Sequence, residues 1–255
     1  MEELLKENER IDDLQINDLK LIQNPQWFCF GIDAVLLANF VTLKKNARVV
    51  DLGTGTGIIP ILLAGKSESS HVTGIEIQEE VAEMAQRSVK LNGLECRIDI
   101  LPMDLKEAPQ VLPVNSFDVV TSNPPYMHGQ GLKNQEDKKT ISRHEVKCNL
   151  EDVIRTASKL LKQHGKLFLI HRPQRIVDIL VFCRQYKLEP KQLRLIHSTY
   201  DKKPNLMLLE AKKDANPELK FLDPLYVYDQ EGKYTSEIHE IYGKNHIEKG
   251  ANTNG

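Results

Sequence analysis

The chain has 255 residues, 40% of them hydrophobic and 27% charged, with a formal net charge of −2. That balance excludes a mostly disordered protein, and the length allows one ordinary domain that buries a substantial core without disulfide or metal staples. The near-neutral charge excludes a module that grips nucleic acid through an overall basic excess, so any contact with a polyanion must come from a local patch.

Strand and helix patterns alternate from about residue 47 onwards. RVVDL at 48–52 is a short apolar run before glycines and reads as a buried strand. A helix over 57–65 and a strand over 72–77 (VTGIEI) follow. Residues 79–92 read as a helix with acids in its first turn and Lys90 in its last, both suited to the helix dipole, and Gly93 supplies the C-terminal cap. Strands are expected at 97–101 and 117–122. Leu150, Val153, Ile154, Ala157, Leu160 and Leu161 fall on one helical face behind Asn149 as N-cap. A fifth strand covers 166–170, and Pro173 sits where the next helix begins, with Ile176, Val177, Leu180 and Cys183 on its buried face. Two last strands, 192–197 and 205–211, are too close for a crossover helix and pair as an antiparallel hairpin.

The pattern predicts an α/β fold: a doubly wound, seven-stranded, mainly parallel sheet with a C-terminal antiparallel hairpin. Three regions are expected: a lead-in over 1–46 packing on the ligand site, a core over 47–213, and a C-terminal extension over 214–255 whose end, after Tyr242, is polar and loose. No apolar run approaches the roughly 18 residues a membrane span needs, and MEELLKENERIDDL lacks the apolar stretch of a secretory signal. The cysteines at 29, 96, 148 and 183 form no CxxC pair, so a cytoplasmic chain with reduced thiols and no metal is expected.

Asp51-Leu-Gly-Thr-Gly-Thr-Gly57 links the first strand to the first core helix. Gly53, Gly55 and Gly57 permit tight turns and close approach of a ligand to the backbone. Glu76, at the end of the next strand, stands at the separation expected of a carboxylate that binds ribose hydroxyls. The third glycine comes one residue early for a dinucleotide fingerprint, whose position is filled by Ile58. Asp51 would sit awkwardly beside a pyrophosphate but suits the ammonium of an amino-acid ligand. An adenosine with a zwitterionic tail, S-adenosylmethionine, fits the loop; a nicotinamide or flavin cofactor, or a turn with no ligand, are the alternatives. Asp104, after the third strand, is placed to accept from an adenine amine or simply to cap a turn.

Asn123-Pro124-Pro125-Tyr126 closes the fourth strand. The two prolines fix the backbone and remove two donors, which leaves the Pro124 carbonyl available as an acceptor. Asn123 adds an amide, and Tyr126 an aromatic face. A planar NH₂ is a poor nucleophile because its lone pair is delocalised. Two acceptors on its hydrogens draw it towards tetrahedral geometry, and a stacked ring holds it in line with a methyl donor, so catalysis is positioning and electrostatics.

DLGTGTG, GIEI and SNPPY in this order resemble class I, Rossmann-like methyltransferases acting on planar amino nitrogens. The segment WFCFGIDAVLLA at 27–38 resembles that of bacterial tRNA(Val) adenosine-37 N6-methyltransferases, as do ERIDDLQINDLKLIQNP, RHEVKCNLEDVIRTASKLL and KPNLMLLEAKK, so that the likeness covers roughly residues 8–245. The resemblance implies that Phe30, Gly31 and Asp33 lie over the methionine end of S-adenosylmethionine. Gly53, Gly55 and Gly57 line its cradle with Asp51 and Thr54, Glu76 and Ile77 hold the ribose, and Asp104 with Leu105 holds the adenine. Asn123, Pro124 and Tyr126 hold the target base, with Asn123 also bordering the cofactor. Cys29 departs from the basic or polar residue expected there.

A tRNA partner requires a basic rim. Residues 127–147 carry Lys133, Lys138, Lys139, Arg143 and Lys147 against three acids, and Gly129 and Gly131 loosen the stretch. Lys202 and Lys203 in the hairpin turn extend the rim; Lys212 and Lys213 are weaker candidates, and His144 reads as structural or phosphate-contacting. Three rivals share parts of the pattern: a protein-glutamine N5-methyltransferase, a guanine-N2 rRNA methyltransferase and a non-catalytic cofactor-binding module. The first carries a helical N-terminal domain for which the residues before the first strand are too few.

Overall fold

A computed structural model describes residues 4–27, 29, 31–67, 70–125 and 149–243. A hairpin of β1 (Arg10–Asp13) and β2 (Lys20–Gln23) leads into α1 (Ile32–Phe40). There follow β3 (Arg48–Leu52), α2 (Ile58–Lys66), β4 (His71–Glu76), α3 (Glu79–Leu91), β5 (Ile98–Pro102), the single turn α4 (Ala108–Val111) and β6 (Phe117–Ser122). Beyond the tetrapeptide come α5 (Leu150–Leu160), β7 (Leu161–His171), α6 (Ile176–Gln185), β8 (Leu188–His197), β9 (Pro204–Lys213), β10 (Lys220–Phe221), β11 (Leu225–Tyr226) and α7 (Ser236–Ile241).

The main sheet runs β10-β8-β9-β7-β6-β3-β4-β5, with β11 also on β8. Strands β7, β6, β3, β4 and β5 are parallel, and β8 and β9 form the expected antiparallel hairpin against β7. The seven predicted strands are all present, but the sheet has nine, because the two-residue strands β10 and β11 extend the β8 edge. Two residues carry no periodicity to read.

Alternation along each strand feeds two cores. Val49, Val72, Val119, Phe168 and Ile170 face the layer of α1, α2 and α3. Val50, Leu52, Ile75, Val120, Leu167 and Leu169 face α5 and α6. Both faces of the central strands are therefore apolar, as a parallel sheet covered on both sides requires. Leu225, Val227 and Ile238 belong to the same core as α1, so the segment after β9 packs on the domain rather than trailing from it.

The caps behave as their chemistry dictates. Gly93 ends α3 at φ +64°, its N–H on the Lys90 carbonyl. Asn149 and Asp152 form a reciprocal capping box at the start of α5. One face needs correcting. Pro173 opens a 3₁₀ turn, Pro173–Arg175, before α6 begins. Ile176, Leu180 and Cys183 keep the expected face, joined by Ile179 in an i, i+3, i+4, i+7 stripe, whereas Val177, about 100° round the helix from Ile176, falls outside it and is 68% exposed. Among the described residues no helix is long and apolar enough to cross a membrane.

Candidate active site

The parallel strands β3 and β6 are neighbours although β4, β5 and their helices lie between them in the chain. This is a topological switch point, where loops from the two strands part and leave a crevice at their carboxyl ends. Two hydroxyls bind the strand ends together: Thr121 donates to Asp51 Oδ1 at 2.6 Å, and Ser122 donates to the Leu52 carbonyl at 2.7 Å. The glycine loop and the tetrapeptide therefore leave the sheet side by side. Sequence reasoning misses Thr121 and Ser122; their place immediately before Asn123 is the signal that identifies them.

In the loop, the N–H groups of Gly53 and Thr54 both donate to the Ile75 carbonyl, at 2.9 and 2.8 Å. Gly53, Gly55 and Gly57 have φ of +75°, +56° and +87°, a region closed to most side chains. A Cβ at Gly53 or Gly55 would meet nothing within 4 Å, so these glycines border open space, whereas one at Gly57 would come within 3.2 Å of Ala85 on α3. Gly74 is a second residue that sequence reasoning misses. It needs no special φ, but a Cβ there would lie 2.7 Å from Ile100 and 3.0 Å from Thr54, so it makes room for the loop.

Asp51 is fully buried. Its Oδ2 and the neighbouring Thr54 Oγ1 are buried without a hydrogen-bond partner. Burial pushes the carboxyl up to about 6. The hydroxyls of Thr121 and Thr54 act against the rise, Thr54 from nearby without the geometry of a hydrogen bond, and the Glu76 charge adds to it. Glu76 is also buried, and it is held by backbone N–H groups: Gly55 donates to Oε2 and Gln78 to Oε1, each at 3.0 Å. Four lone-pair sites on the carboxylate leave capacity for further hydroxyl donors. Asp104 takes the Lys106 N–H at 2.9 Å and its ammonium at 3.3 Å, which is the turn-capping geometry, while Leu105 is buried.

The lead-in reaches the tetrapeptide directly. Asp33, in the first turn of α1, is buried; its Oδ1 accepts from the Ala34 N–H at 3.0 Å and its Oδ2 from Asn123 Nδ2 at 3.1 Å. Gly31 is the N-cap of α1. Pro124 is half-buried and Pro125 exposed. His171, at the end of β7, is buried, and desolvation pushes it down to about 4, so the ring beside this edge is neutral.

The hairpin register pairs His171 with Met207, which puts the β8–β9 turn and its exposed Lys202 and Lys203 on the same sheet edge as the tetrapeptide. Lys212 and Lys213 end β9 at the opposite edge, where Lys213 Nζ is bonded to Asn115 and to the Ser158 and Leu161 carbonyls. They are excluded from the rim because an antiparallel strand runs away from it. Phe30, Tyr126, Lys133, Lys138, Lys139, Arg143, His144 and Lys147 lie outside the described residues. Among the described residues no cluster of His, Cys, Asp or Glu is arranged to hold a metal ion.

Residues 20–180 match the methyltransferase small domain family. A tRNA1(Val) (adenine(37)-N6)-methyltransferase of Porphyromonas gingivalis is 31% identical over 218 residues, covering 81% of this chain and 84% of that one. The enzyme of the same name from Parabacteroides distasonis is 28% identical over 182 residues, 71% of this chain and 75% of its own. Among solved structures, a predicted O-methyltransferase from Agrobacterium tumefaciens superposes with a TM-score of 0.69 at 30% identity, over 83% of this chain and 96% of that one.

Proposed function

The chain belongs to the methyltransferase small domain family, alongside the tRNA1(Val) (adenine(37)-N6)-methyltransferases, and we propose that it methylates the exocyclic N6 amine of an adenine in tRNA from S-adenosylmethionine. The observation that carries this reading is the pairing of the glycine loop with Asn123 at one switch point, through Thr121 to Asp51 and Ser122 to Leu52.

The residues fit the cofactor. Gly53 and Gly55 border open space for it, and Glu76 is pre-ordered for ribose hydroxyls by two backbone N–H groups. The unpartnered Asp51 Oδ2 and Thr54 Oγ1 are two polar atoms whose burial is offset once an ammonium donor approaches. Gly31, with Phe30, borders the methionine side, with Asp33 behind it against Asn123, and Ile77, Asp104 and Leu105 border the adenosine side. When bound, S-adenosylmethionine supplies a methyl already activated by its sulfonium, so the protein needs no metal or strong base.

What the chain itself contributes is orientation. The Asn123 amide oxygen and the Pro124 carbonyl accept from the two hydrogens of the adenine amine, and Tyr126 stacks on the ring. These contacts strengthen as the nitrogen pyramidalises and gains positive charge, so they act on turnover. The lead-in over 1–46 is a part of the catalytic unit in this reading. Lys202 and Lys203, with Lys133, Lys138, Lys139 and Arg143, supply phosphate contacts, in keeping with an enzyme of the cytoplasm.

The test uses the purified protein, labelled S-adenosylmethionine and tRNA lacking the modification, digested to nucleosides. N6-methyladenosine is expected as the labelled product. Asn123→Ala should lower kcat on the order of 10²–10³-fold with cofactor affinity unchanged. Label in a protein glutamine or in guanine N2, or a thermal shift with NAD and none with S-adenosylmethionine, would refute the assignment.

A further inference from the structure

Asn123 can present either an acceptor or a donor to its substrate, because its amide is nearly symmetric in shape and opposite in chemistry at its two ends. Something must choose between the two orientations. Asp33 is in place to do so: it comes from the lead-in, 90 residues earlier, and its Oδ2 meets Asn123 Nδ2 at 3.1 Å. An ionised carboxylate only accepts. It therefore draws the NH₂ end of the amide to itself and turns the oxygen the other way. Asp33 is itself fixed, since it is buried and its Oδ1 is held by the Ala34 N–H at the start of α1.

Resting on the methyltransferase reading above, we infer that Asp33 is a positioning residue that sets the polarity of the Asn123 amide, so that an acceptor and not a donor faces the substrate amine. The role differs in kind from that of a cofactor ligand. A ligand would be felt in cofactor affinity. A polarity selector is felt in turnover, because the amide oxygen interacts most strongly as the nitrogen becomes positive.

The chemistry orders two substitutions against ordinary expectation. In Asp33→Ala the amide loses its guide but can still turn its oxygen to the substrate. In Asp33→Asn the new side chain keeps its oxygen on the Ala34 N–H, and its NH₂ then occupies the place of Oδ2. Asn123 must answer with its oxygen and offer its NH₂ to the substrate, donor against donor. The isosteric change should thus be the more damaging one. Exchanging the pair, Asp33→Asn with Asn123→Asp, restores a donor at 33, an acceptor at 123 and a second acceptor oxygen towards the substrate. Asn123→Asp alone sets two carboxylates face to face.

The experiment compares the full-length wild type, the three single variants and the exchanged pair. For each, methyl transfer to tRNA, binding of S-adenosyl-homocysteine by calorimetry and thermal melting are measured. Asp33→Asn should lower kcat on the order of 10²–10³-fold. Asp33→Ala should fall about tenfold less, cofactor affinity should stay within about threefold, and the exchanged pair should regain at least about tenfold over Asp33→Asn. Asp33→Asn as active as Asp33→Ala, no recovery in the exchanged pair, or cofactor affinity falling in step with kcat would each overturn the inference, the last by making Asp33 a cofactor ligand. Should Asp33→Asn melt below the assay temperature, the exchanged pair is compared with Asn123→Asp instead: recovery supports the inference and its absence overturns it. An arm independent of turnover separates this inference from the function it rests on: in ¹⁵N-labelled protein the side-chain NH₂ resonance of Asn123, identified by its loss in Asn123→Ala, should move in Asp33→Asn. A wild type that methylates no RNA removes the functional reading, whereas an unmoved resonance in an active enzyme removes only the role of Asp33.

Discussion

Asp51 shows how a functional side chain can work against the fold that holds it. Its carboxyl is pushed up to about 6 from 3.8 by burial, so the folded state holds this proton more tightly than the unfolded chain does. The contribution of Asp51 to stability is therefore complete below the unfolded value and is lost as pH rises through about 6, at about 1.4 kcal/mol per pH unit across that window. At pH 8 the ionised group is a net cost. Asp51→Asn keeps an oxygen for Thr121 and places an NH₂ beside Thr54, so it should raise the melting temperature of the ligand-free protein at pH 8 and gain nothing near pH 4. The same change should weaken cofactor binding, because the ammonium loses its charged partner. In the wild type, cofactor affinity should rise with pH through about 6 as Asp51 ionises. Melts and calorimetry over pH 4–8 check both halves; an Asp51→Asn protein less stable than wild type at pH 8 would show that the buried charge is compensated.

At the scale of elements, one cap can be tested in isolation. The Asn149–Asp152 box closes the N-terminus of α5, whose Val153, Ile154 and Ala157 fill the core under β6 and β7. Asn149→Ala should cost about 1 kcal/mol in urea denaturation and leave cofactor affinity alone; a cost near zero would mean that packing alone sets the helix start. This cap is legible in the sequence, as are the central strands, the α3 dipole pattern and the glycine loop. Each is written in consecutive residues: a cap before an apolar stripe, three glycines at positive φ, a proline pair after a strand. What is illegible depends on residues distant in the chain or on phase. Asp33 can be placed near the cofactor by its neighbours, but its bond to Asn123 spans 90 residues and no spacing rule connects them. Gly74 owes its identity to Thr54 and Ile100, which approach it only in the fold. Val177 is an apolar residue at the margin of the α6 stripe, and its residue type alone does not tell that it falls on the solvent side of that margin. Strands β10 and β11 are set by their pairing with β8, a tertiary event.

The whole molecule is a sheet that changes character along its width. One half, β3 to β5, carries the carboxylates and glycines; the other, from β6 outward, carries the tetrapeptide and the lysine turn. Closing the second half with a hairpin in place of a crossover helix has a consequence at its border. A parallel strand is flanked by its own helices, but β8 ends the hairpin with a free row of backbone donors and acceptors, the usual template for another chain. The polypeptide answers with its own later residues: β10 takes the register of Gln192 and Leu193, β11 that of Ile196 and His197, and Arg194 reaches the Asp223 carbonyl and Glu237 between them. Removing residues 214–255 should uncover that row along with the surface beneath Leu225, Val227 and Ile238, and light scattering should then detect concentration-dependent oligomers absent from the full chain. A truncated protein that scatters like the full chain would show the border to be inert. The segment after β9 thus acts as a selvedge: it finishes the cloth so that one molecule cannot be stitched to the next.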